Sequence, residues 1–331
     1  MFNQSPADSP KIYVIHENAD WTLPLFEALN ALGVPFEDWD MSRSLIDISI
    51  PPPNGVFYNR MSASSHTRGN RFSPESTVGV LAWLEAAGRH VLNGRSALHL
   101  ELSKLVQYAA LTKAGLPVPH TIAVSTPEDI LTAYRQLPFS EAITKHNRAG
   151  KGLGVQLLKS EEAVRQHIES PEFEPSIDGL TLVQRYIQPH DQTITRVEFI
   201  GREFLYAVKV DTSNGFELCP ADVCALDGGF CATEDTPKFA FEIDTDFEQS
   251  AIGQSCLPKM RQVMEAEGLD VAAFELVVDR DGQPYFYDIN TNTNYNSDAE
   301  DRAKIYAMQK LAVYLAEALK SEVAKNLSLA S

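Results

Sequence analysis

Glu275, Asp288 and Asn290 are the residues of this 331-residue chain whose types and spacing most directly suggest chemistry. They lie in FELVVDRDGQPYFYDINTNTNYN, residues 274–296, where two apolar runs flank Asp279-Arg280-Asp281-Gly282. Asp-Gly between alternating hydrophobic residues is a strong hairpin signal, so two antiparallel strands are expected. A two-residue loop at Asp281-Gly282 sets Arg280 against Gln283 and, counting outward, Glu275 against Asp288. Asn290 then follows two residues further along the same face. The other face takes Phe274, Leu276 and Val278 against Tyr285, Tyr287 and Ile289. Like charges directly opposite each other repel, so the acidic pair asks for a cation. Three oxygen donors with no His or Cys suit a hard ion, Mg²⁺ or Mn²⁺, that shares its remaining sites with water and phosphate. A solvated acidic hairpin face is the alternative.

A second cluster is EAITKHNRAGKGLGVQLL, residues 141–158. An apolar strand ending at Lys145 enters a loop with Gly150, Gly152 and Gly154 beside Arg148 and Lys151, and a second strand leaves it. Glycines let successive backbone N–H groups close on an anion, so the loop reads as a phosphate flap or as a flexible turn. It fits neither the P-loop spacing nor a dinucleotide fingerprint, which needs a helix at the exit. Lys104 sits in the first turn of a helix expected over residues 103–115, where the helix dipole disfavours a cation. That misplacement hints at a negative partner; a surface lysine is the alternative. In ITRVEFIGREFLYAVKV, residues 194–210, a hairpin around Gly201-Arg202 puts Val197, Phe199, Phe204, Tyr206 and Val208 on one face. Arg196 and Lys209 fall together on the other, where they could neutralise phosphate or an oxyanion, or be surface cations.

These residues need a scaffold. From Lys11 to about Ala97 strands (KIYVIHE, VPFEDW, GVFYNR, HVLN) alternate with helices near residues 22–32 and 74–87, which implies a small parallel sheet covered on both faces. Its loop NRMSASSHTRGNR, residues 59–71, lies at the carboxyl end of a strand, where open α/β sheets place ligands. Arg60, Ser62, Ser64, Ser65, His66 and Arg68 could there take an anionic or carboxylate substrate; a solvated polar loop is the alternative. LTLVQRYIQP, residues 180–189, reads as a buried strand running to a proline. Residues 211–245 read as an irregular excursion, residues 247–268 as a helix, and Ile305, Met308, Leu311, Ala312, Leu315 and Leu319 as the apolar face of a last helix.

The formal charge of −17 argues against a broad nucleic-acid or anionic-membrane footprint. No apolar run nears the ~18 residues of a membrane span, and MFNQSPADSP lacks the order of a signal peptide, so a cytoplasmic protein is expected. Cys219, Cys224, Cys231 and Cys256 lack C-x-x-C pairs and read as reduced thiols.

Taken together, these motifs resemble the ATP-grasp superfamily, most closely its α-L-glutamate-ligase-like (RimK-like) branch of carboxylate–amine ligases. The resemblance covers residues 103–296 closely. It implies an α/β fold, α+β in its C-terminal part, in which a small parallel-sheet domain (residues 1–97) precedes two α+β subdomains (98–187 and 188–331) that clasp ATP. By this resemblance Lys104 and Lys145 hold the nucleotide phosphates, and Arg148 to Gly154 form the flap. Gln184, with the backbone of Tyr186 and Ile187, reads the adenine. Arg196 and Lys209 are the catalytic basic pair, and Glu275, Asp288 and Asn290 hold Mg²⁺ or Mn²⁺. The family's usual order is Asp, Glu, Asn, so the first two acids are exchanged here. Where the family often has a Pro-Gly turn, this chain has Thr291 to Asn296, and Asn292 and Asn294 join the loop at 59–71 as substrate candidates. The activity implied is amide formation through an acylphosphate, between a small-molecule carboxylate and an amine, with a homodimer as the family-level expectation. An ATP-grasp small-molecule kinase and a non-catalytic nucleotide-binding regulator stay open.

Overall fold

The computed structural model describes residues 9–329 other than 151, 153 and 213–239. Lys151, Cys219, Cys224, Cys231 and most of the expected excursion at 211–245 therefore lie outside the described residues. Among the described residues thirteen strands form three sheets.

The first sheet is parallel, with order β2-β1-β3-β4, from β1 (Lys11–His16), β2 (Phe36–Asp40), β3 (Gly55–Asn59) and β4 (His90–Leu92). Helices α1 (Ala19–Ala31), capped by Asn18, and α2 (Ser73–Ala86) cover it. Every residue of β3 is buried, as expected of a central parallel strand. Two helices then follow in succession, α3 (Arg95–Leu102) and α4 (Lys104–Lys113). Helix α3 has no counterpart among the expected elements; it is only eight residues long, and it buries Ala97, Leu98, Leu100 and Glu101.

The second sheet, β5-β8-β6-β7, is antiparallel and comprises β5 (Thr121–Val124), β6 (Ala142–His146), β7 (Gln156–Leu158) and β8 (Thr181–Arg185). It is backed by α5 (Asp129–Gln136) and α6 (Glu161–Glu169). The third, β11-β10-β9-β12-β13, is also antiparallel. Its strands are β9 (Thr193–Ile200), β10 (Glu203–Asp211), β11 (Phe241–Asp244), β12 (Val271–Val278) and β13 (Pro284–Asn290). Strand β11 is an addition at the edge, within the stretch expected to be irregular.

Each face of the third sheet meets a different partner. Val197, Phe199, Ala207, Phe274, Leu276 and Phe286 pack with Leu111 of α4 and with Met260 and Met264 of α7 (Ala251–Glu267). Ile200, Tyr206, Val208, Val210 and Val271 pack on the other side. There they join Ile12, Val14 and Val56 of the first sheet and Leu311 and Leu315 of α9 (Ala307–Leu329), which follows the short α8 (Ser297–Ala303). The last helix thus returns to the first sheet and lies along α1 and β3. Among the described residues no helix is long and apolar enough to cross a membrane.

Candidate active site

The acidic hairpin departs from its expected form in two places that cancel. Asp279 N donates to Gln283 O and Gly282 N to Asp279 O, so the turn holds three residues between the paired ends, not two. A bulge between Glu275 and Leu276 then skips Tyr287 in the ladder, which pairs Leu276 with Phe286 and Glu275 with Asp288. The expected carboxylate pair therefore stands. The expected core face does not: Phe286 fills the core, and Tyr287 turns to the wet side, where its hydroxyl bonds Glu275. Asn290 Nδ2 donates to Glu275 Oε1 at 2.9 Å, which brings the amide against the acids.

The neighbouring hairpin also carries a bulge, between Phe204 and Tyr206, and nothing cancels it. Arg196 pairs with Val208 and Lys209 with Thr195, so Arg196 and Lys209 point to opposite faces. Lys209 is half-exposed and meets Asp244 at 3.1 Å, outside the cavity. Its expected place beside Arg196 is corrected by that one inserted residue, as is the expected grouping of Tyr206 and Val208 with Val197. Arg196 is buried with its Nε 2.6 Å from Glu198 Oε1, Nη1 3.3 Å from Glu275 Oε1, and Nη2 on Thr293 Oγ1. Burial alone lowers the basicity of this guanidinium; the carboxylates of Glu198 and Glu275 more than offset that and hold it above its ordinary value.

Lys104 and Lys145 meet the hairpin from two elements. Ser103 caps α4, and Asn147 accepts from the Lys104 and Leu105 N–H groups, which fixes the helix start against the end of β6. Lys104 Nζ then lies 3.0 Å from Asp288 Oδ2 and 3.1 Å from Ala149 O. Lys145 Nζ donates to Tyr287 O at 3.3 Å and sits over the rings of Tyr108 and Tyr287. Burial, then the charge of Lys104, lowers its pKa to about 7. The buried face of α4 is Lys104, Gln107, Tyr108, Ala110 and Leu111, more polar than the spacing of its apolar residues suggested. Gln107 pairs with Ile289 as a strand would, donating to its O at 2.9 Å and accepting from its N at 3.0 Å. That amide registers β13 against α4, and its identity had no sequence signal.

Gln184 donates both amide hydrogens, to Tyr108 Oη at 3.0 Å and Thr121 Oγ1 at 2.7 Å, so its carbonyl oxygen is what it offers the cavity. The Tyr186 N–H is held by Glu141 O. In the flap Gly152 and Gly154 have φ of +74° and +73°, and a Cβ on Gly154 would lie 2.5 Å from the His146 ring. Gly150 and Gly152 line the cavity; Arg148 does not, because its Nη1 is drawn 2.7 Å from Glu75 of α2. That ion pair ties the flap to the first sheet's layer.

Of the loop at 59–71, Ser62, Ala63 and Ser64 line the cavity, whereas Arg60, His66 and Arg68 do not. Arg60, buried, spends its guanidinium on Asn292 Oδ1, Thr293 O, Asn294 Oδ1 and Trp21 O, all at 3.1–3.2 Å. Burial lowers its pKa. Arg68 binds Glu17 and covers the Trp21 ring; His66 Nδ1 bonds Ala63 O. Arg60 and Arg68 thus build the wall, and His66 supports it. Asn292 and Asn294 do line the cavity, oriented by Arg60. Glu101, absent from the sequence reading, accepts from Ala63 N and from Thr291 N and Oγ1, joining the same two loops.

Lys104, Lys145, Gln184, Arg196, Glu275, Asp288 and Asn290 surround one cavity of about 500 Å³. Among the described residues no group of three or more His, Cys, Asp and Glu is arranged to hold a metal. The set here is two carboxylates and an amide oxygen, with room for phosphate oxygens to complete a hard ion's shell, so the donor chemistry fits Mg²⁺ bound together with a nucleotide.

No protein-family model matches the chain. It is 24% identical over 269 residues to a D-alanine–D-alanine ligase of Methylococcus capsulatus, covering 81% of this chain and 78% of that protein. It is 33% identical over 125 residues to the glutamate–LysW ligase ArgX of Sulfurisphaera tokodaii, covering 38% of this chain and 44% of that one. A RimK-domain ATP-grasp protein from Sphaerobacter thermophilus superposes with a TM-score of 0.60 at 16% identity, over 92% of this chain and 98% of that one. The ATP-grasp ligase PsnB, solved with a precursor variant, Mg and ADP, gives 0.64 at 18% identity, over 94% and 99%. The fold is that of the ATP-grasp proteins on which it superposes, a RimK-domain protein among them.

Proposed function

We propose that the protein is an ATP-dependent carboxylate–amine ligase that forms an amide or peptide bond on an amino acid or small peptide. The observation that carries this reading is the convergence, on one cavity, of two buried lysines, a glycine flap and the Glu275, Asp288 and Asn290 set. Relatives named as a D-alanine–D-alanine ligase and a glutamate–LysW ligase support the substrate class.

Lys104 and Lys145 hold the phosphates, and Gly150, Gly152 and Gly154 let the backbone approach them; Lys104 exchanges part of its contact with Asp288 for phosphate as it does so. Gln184 offers its carbonyl oxygen to the adenine amine, and the Ile187 N–H reads the ring edge. Glu275, Asp288 and Asn290 hold Mg²⁺, which when bound offsets charge on the phosphate oxygens. In the first step a substrate carboxylate oxygen bonds to the terminal phosphorus as its bond to the ADP oxygen breaks. The amine nitrogen next bonds to the acyl carbon, the carbon–oxygen bond to phosphate breaks, and inorganic phosphate leaves. Arg196, aligned by Glu198 and Thr293, steadies the oxyanion between these bond changes. Ser62, Ser64, Asn292 and Asn294 line the substrate end.

The test is phosphate release from Mg-ATP across a matrix of amino acids and carboxylic acids, singly and in pairs. Release that needs an acid and an amine together, with a product of their condensation mass, is the expected result. ADP formed with one compound that gains a phosphoryl mass overturns it in favour of a kinase, and no turnover with any pair overturns it in favour of a binding protein.

A further inference from the structure

Among the described residues, two of the three carboxylates that line the cavity, Glu275 and Asp288, have cationic partners, and the third, Glu101, does not. Asp288 meets Lys104, Glu275 and Glu198 meet Arg196, and Glu17 at the end of β1 meets Arg68. Glu101 lines the cavity at 9% exposure, and the groups that hold it are neutral: Ala63 N at 3.1 Å, Thr291 N at 2.7 Å and Thr291 Oγ1 at 3.1 Å. Neutral donors orient a carboxylate without balancing its charge, and buried charges are normally balanced. Two of those bonds fall on Oε2 and one on Oε1, which leaves Oε1 with a lone pair to give. Glu101 also sits in the last turn of α3, where the helix dipole adds negative potential. Asp288 is near enough to raise its pKa further, after burial, so Glu101 stands close to the Glu275–Asp288–Asn290 set.

We propose that Glu101 is the docking site for the protonated amine of the second substrate, which donates a hydrogen bond to Oε1 and supplies the missing positive charge; on attack one ammonium proton passes to Oε1, freeing the lone pair that bonds to the acyl carbon, and a second leaves with the phosphate. The inference rests on the ligase reading and deepens it: the amine substrate arrives as a primary ammonium, held beside Ser62, Ser64 and Thr291 and facing the reacting centre. The other cavity carboxylates cannot take this role without giving up a cation they already hold.

The test compares the wild-type protein with Glu101→Gln in Mg-ATP and pooled common amino acids, with and without hydroxylamine. Hydroxylamine is the probe nucleophile because it is uncharged near neutral pH, whereas the amino-acid amines are ammonium ions. Acyl transfer is read as hydroxamate for the first and as dipeptide mass for the second. In Glu101→Gln the ratio of hydroxamate to dipeptide rises by about tenfold to a hundredfold, the worth of a hydrogen bond to a charged group. Glu101→Asp, which keeps the charge, moves the ratio back toward wild type. A ratio unchanged in Glu101→Gln overturns the proposal: equal loss of both products would make Glu101 a clasp between loops, and equal retention a bystander. Wild-type protein that forms neither product overturns the ligase reading itself, and the proposal falls with it.

Discussion

The two walls of the cavity treat buried charge in opposite ways. On the wall made by β12, β13, β9 and the start of α4, carboxylate meets cation: Asp288 with Lys104, Glu275 with Arg196. On the wall made by residues 60–64 and 291–294, Arg60 and Glu101 are both buried and both bonded to neutral groups. Ion pairs can exchange partners when a phosphate or metal arrives, because each member keeps its charge balanced through the exchange. A charge held by amides and carbonyls has no such exchange to make. The first wall is thereby suited to ligands that come and go within a catalytic cycle, and the second to holding a fixed shape, with Glu101 as the point where that shape awaits a charge.

The comparison breaks first at Asp288. Asp288→Ala is expected to lower turnover by about a thousandfold or more, the several kcal/mol that a bound metal contributes, with the circular dichroism spectrum retained. Steady-state phosphate release measures it. Turnover near wild type would mean that the Lys104–Asp288 pair is structural, and the contrast between the walls would vanish.

Arg60 tests the fixed wall. Arg60→Lys keeps the charge but replaces a rigid fork that reaches four acceptors with one compact ammonium. Stranding two or more buried acceptors is expected to cost about 3 kcal/mol. A lower Tm and a raised KM for the acid substrate, with nucleotide affinity little changed, are the expected outcome. A loss confined to nucleotide binding would show that the two walls are not separate devices.

A smaller effect is expected from pH at Lys145, whose pKa lies at about 7 against an ordinary 10.5. Phosphate beside the amine favours its charged form, so nucleotide binding takes up a proton above about pH 7. Apparent affinity then weakens by up to about tenfold per pH unit as the free amine loses its proton. Calorimetry at pH 8 in buffers of different ionisation enthalpy reads the uptake directly; none would remove Lys145 from the phosphates. For the ligand-free fold the sign is separate. Between about 7 and 10.5 the unfolded chain holds the extra proton, so the cost of burying this amine is full below about pH 7 and shrinks as pH rises.

How far these walls could be read from sequence follows from what each is made of. The parallel first sheet, both hairpins, the flap and the lysines Lys104 and Lys145 are local patterns of apolar period, turn residues and spacing. Arg60 with Asn294, and Glu101 with Thr291, are bonds between residues about 190 to 234 apart in sequence, and no window contains both partners. Helix α3, which carries Glu101, is eight residues long and too short for its period to stand out. Bulges are harder still, since one inserted residue leaves no mark on composition. In the acidic hairpin a wider turn and a bulge cancelled, and Glu275 met Asp288 as the count required.

In the β9–β10 hairpin the count failed, and Lys209 gives the smallest and most discriminating prediction. The bulge near Leu205 places Lys209 on the face away from Arg196, half-exposed beside Asp244. An exposed pair of this kind is worth about 1 kcal/mol or less. Lys209→Ala is therefore expected to keep kcat/KM within about twofold of wild type, while Arg196→Ala, on the same sheet one register step away, loses most of it. Both variants keep the strand and its neighbours, so the difference between them measures which face of the hairpin meets the substrate. Equal, large losses would mean that β10 pairs with β9 without its bulge when ligand is bound, returning Lys209 to the wall where charges exchange.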